Sequence, residues 1–305
     1  MSDPIVVMTD VTKRYRTGGV LGRARGSVLA VDGVALHIER GEALGLVGES
    51  GSGKSTLARM VNGLVAPTSG TVLVDGHDVS RLRGRGLRTL RRNVAMVFQD
   101  PLGSLNPRQT VRQTLENVFR AHGETASTGR LIGLLESVGL GEDYLHRYPH
   151  EASGGQLQRV AVARALALEP DLIIADEPTS ALDVSVRAQI LNLLADLQRD
   201  RGISFLHVSH DLAVIQLYSD RVAVMNRGAI VETGRSDEIF RSPRHPYTQA
   251  LVAATPEAEL ADDDPPMRGD GAACDDRHHD SPNDHDAVVR PEAGTARDRK
   301  RTRGY

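Results

Sequence analysis

Apolar positions along this chain fall into short β-type runs on either side of a long stretch of helical spacing. Ile5–Tyr15 and Val28–Ile38 are rich in β-branched residues and predict two strands flanking a loop, Thr17–Ser27, that holds four glycines and two arginines. The run Ala43–Val47 predicts a short buried strand, Ser55–Gly63 a helix and Thr71–Val74 another strand, with Asp75-Gly76 as a turn. An arginine-rich stretch, Arg81–Arg92, reads as a solvated helix face and leads into a strand at Val94–Phe98. From Thr110 to Leu168 the spacing is helical and no strand is predicted. Strand Leu172–Ala175, helix Val184–Arg201 and strand Ile203–Ser209 then restore the alternation of a largely parallel sheet, followed by shorter strands at Arg221–Met225 and Ala229–Glu232. The pattern predicts an α/β core interrupted by a helical subdomain.

Past Pro256 the pattern stops. Residues 261–305 are dominated by Asp, Arg, Pro, Gly and His, a composition that cannot bury enough apolar surface to offset ordering entropy. The segment reads as a disordered polar tail; His278, His279 and His285 within it, and the basic end Arg297–Arg303, read as solvated.

Composition narrows the function classes. Apolar residues make up 40% of the 305-residue chain, as in a soluble globular protein. A net charge of −3 argues against a nucleic-acid binder. The single cysteine, Cys274, excludes an intramolecular disulfide and fits a reducing cytosol. No apolar run approaches bilayer-spanning length and the start lacks the pattern of a signal peptide. The chain therefore reads as cytosolic, with any membrane association made through a partner.

The chemistry begins at Gly48-Glu49-Ser50-Gly51-Ser52-Gly53-Lys54-Ser55-Thr56, which fits the phosphate-loop pattern of glycines followed by Lys-Ser at the start of a helix. Backbone N–H groups can close around phosphates where no side chain intrudes, and the helix start adds partial positive charge. Lys54 is placed to reach the β- and γ-phosphates and the Ser55 hydroxyl to ligate Mg²⁺. Asp176 and Glu177 end an apolar strand, at the sheet edge where open α/β folds bind ligands. Asp176 is suited to hold Mg²⁺ and Glu177 to orient and deprotonate the attacking water. Ser153-Gly154-Gly155-Gln156 opens a helix, Leu157–Leu168, and forms a second anion site. One nucleotide does not need two such helix starts in one chain, so a head-to-tail pairing of two chains is expected. His210, following strand Ile203–Ser209, is the remaining candidate for the γ-phosphate.

Taken together and in this order, these motifs closely resemble the ATP-binding subunits of ABC transporters, over about Ile5 to Pro256. The resemblance implies a P-loop core with an antiparallel β subdomain and an inserted helical subdomain at about residues 100–168, with ATP and Mg²⁺ as cofactors. It implies that Tyr15 stacks on adenine, that Gln99 contacts Mg²⁺ and links the core to the helical subdomain, and that His210 is the switch histidine. Ser180-Ala181-Leu182-Asp183 matches the loop that crosses the dimer interface, so Asp183 joins the ATP-binding set with Ser153, Gly154, Gly155 and Gln156. The usual Leu before SGGQ is Ala152 here, a position that supports the loop.

Two stretches narrow the resemblance further. Phe98–Arg108 (FQDPLGSLNPR) is similar to a segment of oligopeptide/dipeptide importer ATPases, with Leu102 and Gly103 departing from its usual form. Ser242–Pro256 is similar to their C-terminal His-Pro-Tyr segment, carried by His245, Pro246 and Tyr247. A lone cysteine leaves no iron–sulfur site. The implied function is an ATPase subunit of a peptide importer, peripheral on the cytoplasmic face, with a second ATPase subunit, membrane permease subunits and, indirectly, a substrate-binding protein as partners. An exporter ATPase or a non-transport ABC ATPase is the alternative; no long coiled coil or second cassette supports the latter.

Overall fold

The β-branched N-terminal runs form β1 (Val6–Thr17) and β2 (Gly26–Ile38), paired antiparallel. The structure is a computed structural model, and it describes residues 3–17, 26–180 and 182–254. The tail and the glycine-rich stretch at 18–25 lie outside the described residues. β4 (Ser69–Val74) and β5 (His77–Asp78) complete a four-stranded antiparallel sheet in the order β2-β1-β4-β5. Asp75 and Gly76 join those last two strands with φ of 50° and 72°, the paired left-handed geometry that a two-residue hairpin turn requires.

The second sheet holds β3 (Ala43–Val47), β6 (Val94–Val97), β7 (Leu172–Asp176), β8 (Ser204–Ser209), β9 (Arg221–Asn226) and β10 (Ala229–Arg235), ordered β10-β9-β3-β8-β7-β6. All pairings are parallel except β9 with β10. β3 and β7 are buried at every position, which is why they read as unbroken apolar runs rather than alternating ones.

Successive side chains of a strand point to opposite faces, and the two faces of this sheet carry different cores. One face joins Leu44, Ile174 and Leu206 to the antiparallel sheet and to α1 (Lys54–Val61) through Leu57 and Met60. α2 (Gly84–Asn93) packs against this cluster through Leu87 and Leu90, leaving Arg85, Arg88 and Arg91 exposed as expected. The other face joins Ile173, Ala175 and Phe205 to α4 (Val111–Ala121), α5 (Thr128–Glu136), α6 (Gly154–Leu166) and α7 (Val184–Arg201) through Leu115, Phe119, Leu131, Leu157 and Ile190. A short α3 (Pro101–Ser104) leads from β6 into this helical layer, and Ala152 packs against the same core. The chain then continues through α8 (Leu212–Tyr218), α9 (Ser236–Arg241) and α10 (Pro246–Ala253). α6 starts three residues before the expected helix, because Ser153 caps Gln156 and Gln156 caps Ser153 reciprocally, drawing both glycines into the first turn.

His207 on β8 is 5% exposed and stacks on Phe205, with ring centroids 5.2 Å apart. Burial pushes its pKa down from 6.5 to about 4, with the Asp220 charge opposing. The unfolded chain therefore binds the proton more readily. Stability contributed by neutral His207 is full above pH 6.5 and is lost as pH falls towards 4, by on the order of 3 kcal/mol. Urea titrations across this range should show a shallower acid loss in His207→Leu than in the unmodified chain.

Candidate functional site

Two glycines shape the phosphate loop between β3 and α1. A Cβ on Gly48 would lie 2.1 Å from the Met225 carbonyl oxygen and one on Gly53 2.1 Å from that of Ala30. Both also adopt φ in the left-handed region, 150° and 109°, so the loop tolerates no side chain at either position. Lys54 folds back over the loop, donating from Nζ to the carbonyl oxygens of Gly48 at 2.7 Å and Glu49 at 3.0 Å. Its ammonium is nearly buried; desolvation lowers its pKa, opposed by the carboxylates of Glu177 and Asp176. A polyphosphate at this point would restore the charged form.

The loop borders a cavity of about 700 Å³, lined by Gly48, Glu49, Ser50, Gly51 and Gly53 to Thr56, together with Gln99, Glu177 and His210. Ser52 is buried beside it and does not line it. Val28, Leu29 and Ala30 of β2 and Leu251 of α10 complete the wall; Leu251 lies within the His-Pro-Tyr segment Ser242–Pro256, and no sequence motif marks the other three. Tyr15, expected against adenine, is 39% exposed under the Lys13 ammonium and is not among the lining residues. Its cross-strand partner Val28 is, so the aromatic stands at the rim.

The acids occupy the expected sheet edge. Ser55 Oγ donates to Asp176 Oδ1 at 3.0 Å, and burial raises the Asp176 pKa against that hydrogen bond. A neighbouring cavity of about 840 Å³ contains Ser55, Gln99 and Asp176, three oxygen-bearing side chains suited to a hard divalent cation. Glu177 leaves β7 with φ of 50°, its amide donating to the Val208 carbonyl at 2.9 Å. This sparsely populated backbone geometry turns the carboxylate out of the sheet and into the phosphate-loop cavity. There His210 Nδ1 donates to Glu177 Oε1 at 2.9 Å. Asp211, the next residue, caps α8 and pairs with Arg187 of α7 at 2.9 Å, tying the histidine's loop to the helical layer.

Ser153, Gly154, Gly155 and Gln156 are elsewhere. They line neither cavity, and Cβ atoms on Gly154 and Gly155 would meet Leu182 and Val186 instead. Asp183 caps α7 beside them without a side-chain cap hydrogen bond. Ala181 lies outside the described residues. Two clusters result: a phosphate loop with its acids and His210, and an SGGQ helix start with the Ser180–Asp183 loop.

Comparison with known proteins agrees with this architecture. Residues 31–180 match the family described as "ABC transporter", and residues 231–279 that described as "Oligopeptide/dipeptide transporter, C-terminal region". The oligopeptide transport ATP-binding protein AppF of Bacillus subtilis (strain 168) is 47% identical over 259 residues, 83% of this chain and 79% of that protein. The dipeptide transport ATP-binding protein DppF of Escherichia coli (strain K12) is 45% identical over 84% of this chain and 78% of its own. The glutathione import ATP-binding protein GsiA of the same organism is 48% identical, but this chain spans 42% of its length. Among solved structures, the ATP-binding cassette MJ0796, as a dimer in a post-hydrolysis state bound to ADP and Pi, superposes with a TM-score of 0.67 at 32% identity. That alignment covers 76% of this chain and 98% of the cassette. The cbiO1 protein of Clostridium perfringens, part of the ABC transporter complex cbiONQ, gives 0.66 at 30% identity over 79% and 92%. With its phosphate loop, paired acids and signature helix start on this fold, the chain belongs to the ATP-binding subunits of ABC transporters, in their oligopeptide/dipeptide branch, and its activity is that of an ATPase.

Proposed function

We propose that the chain energises peptide import as one half of a head-to-tail pair of cassettes, docked on separate permease subunits at the cytoplasmic face of a membrane. The observation that carries the pairing is the separation of the SGGQ helix start from the cavity that its own Lys54, Glu177 and His210 surround. This helix start borders no nucleotide cavity in its own chain. In a pair, Ser153, Gly154, Gly155 and Gln156 close over the partner's nucleotide and Asp183 sits at the seam.

Within the site, the phosphate-loop amides and Lys54 bind and orient the polyphosphate, and Tyr15 borders the base. Ser55, Asp176 and Gln99 would hold Mg²⁺, which when bound would supply neutralisation of the charge on the phosphates. Glu177 takes the proton from the attacking water, and His210 holds that carboxylate through its Nδ1–H. Gln99 belongs to both cavities, so it links the nucleotide to the groove beside the helical layer.

The peptide reading rests on the match at 231–279 and on relatives named for oligopeptide, dipeptide and glutathione transport. Among the described residues no helix is long and apolar enough to cross a membrane, so the transport path is assigned to other subunits. Isolating the chain with its native complex and reconstituting it in liposomes tests this. ATP-dependent uptake of a short-peptide mixture is expected, and uptake of none of its components would contradict it.

We also divide the chain into a cassette at 1–256 and a tail at 257–305. Truncation after Ala261 should leave the ATPase rate nearly unchanged. A melting point lowered by more than about 4 °C, roughly a kcal/mol in a domain somewhat smaller than this one, would show instead that the tail docks on the cassette.

A further inference from the structure

Tyr247, on the helix that follows His245-Pro246, touches the phosphate loop across 198 residues of sequence: the Glu49 amide donates to its hydroxyl at 3.1 Å. Glu49 is also where Lys54 is held. Its carbonyl accepts from Lys54 Nζ at 3.0 Å and from the Ser52 amide at 3.1 Å. The Glu49 peptide is thus gripped on both sides, by the lysine and by α10. One turn further along α10, Leu251 lines the nucleotide cavity together with Val28, Leu29 and Ala30. An alkyl group there offers nothing to phosphate and suits the flat apolar base or the ribose.

The helix is itself anchored. Glu232 of β10 accepts the amides of Arg244 at 2.8 Å and His245 at 3.1 Å, and His245 Nδ1 accepts the Tyr247 amide at 3.1 Å. Tyr247 and Leu251 also pack on a small core that contains Val47, the last residue of β3 before the phosphate loop. So α10 is held at its start by hydrogen bonds and along its side by the strand that delivers the loop.

From this geometry we propose that α10 is a cis wall of the ATP site: Tyr247 positions the phosphate loop through the Glu49 amide, and Leu251 packs against the base end of the nucleotide. The proposal rests on the nucleotide-site reading above. Tyr247 is a positioning residue, since it acts through Glu49. Its loss removes an interaction present in ground and transition states alike, so KM should change and kcat should not.

Equilibrium titrations with ATP and with inorganic triphosphate, which lacks a base, separate the two contributions. Tyr247→Phe keeps the ring in its core and should weaken both probes about fivefold, the scale of one hydrogen bond, with KM for ATP rising equally and kcat within twofold. Leu251→Ala should weaken ATP about fivefold and leave triphosphate within twofold. In the unmodified chain, hydrogen exchange across Pro246–Ala253 should slow when ATP is added, a readout independent of how any variant folds. Lys54→Ala serves as the reference. If it loses affinity while Tyr247→Phe and Leu251→Ala bind both probes as the unmodified chain does, α10 is no part of the site. Unchanged exchange in α10 on adding ATP would overturn the proposal equally. If Lys54→Ala itself binds ATP unchanged, the nucleotide-site reading is what fails.

Discussion

Glu177→Gln should lower ATP turnover by ~10²-fold or more while leaving ATP affinity within about twofold, the lower end of general-base effects. The carboxylate acts on water, and the amide that replaces it keeps the size and hydrogen-bonding reach of the side chain but cannot take a proton. The geometry supports this separation. Glu177 lines the cavity without belonging to the phosphate loop, and the side-chain hydrogen bond it accepts from His210 Nδ1 can be accepted by a glutamine oxygen. Fold loss is not the expected cause, because the residue sits at a strand end rather than in either core. Single-turnover measurements of phosphate release, beside equilibrium ATP binding, check both halves. Turnover within threefold of the unmodified chain would remove Glu177 from the role of base.

Lys54→Ala should fail earlier, at binding. The substitution deletes a charge-assisted contact to phosphate, a loss of roughly 1.5 to 3 kcal/mol, or about ten- to a hundredfold in affinity. Turnover should fall further still, because charge on the transferred oxygens grows at the transition state. Burial lowers the Lys54 pKa, but the ammonium also holds the Gly48 and Glu49 carbonyls and faces the Glu177 and Asp176 carboxylates, so its removal should lower the melting point without nucleotide. Stabilisation by saturating ATP is expected to shrink beyond that loss. Comparing melting curves with and without ATP separates this from simple unfolding.

Much of this was legible because the decisive residues are contiguous or sit at strand ends. β3 and α7 fall on the residues that their apolar spacing predicts, and the expected Asp75-Gly76 turn forms, with both residues left-handed. The phosphate loop, Asp176 and Glu177 each carry a pattern with a physical reason for its spacing. What stayed hidden is short or distant. α8 and α9 have seven and six residues, too few for a helical period to stand out. The start of α6 is carried by Ser153 and Gln156 at capping-box spacing, a signal that the anion-site reading of the same residues does not use. Leu251, Val28, Leu29 and Ala30 reach the cavity as ordinary aliphatic residues, and tertiary packing alone brings them there. The expected contact of Tyr15 with adenine is of the same distant kind: Tyr15 pairs across the strands with Val28, which lines the cavity.

The head-to-tail pairing is tested most directly by sedimentation velocity on Glu177→Gln, with and without ATP, alone and combined with Ser153→Arg. The arginine is placed at the helix start beside Leu182 and Val186, which lines neither cavity of its own chain. The Glu177→Gln chain should sediment as a monomer without nucleotide and as a dimer with ATP. The double variant should bind ATP with affinity within about twofold and remain a monomer, because its signature helix can no longer close on a partner's phosphates. A double variant that dimerises as readily with ATP, or one that loses ATP binding as a monomer, would contradict a site completed by the second chain.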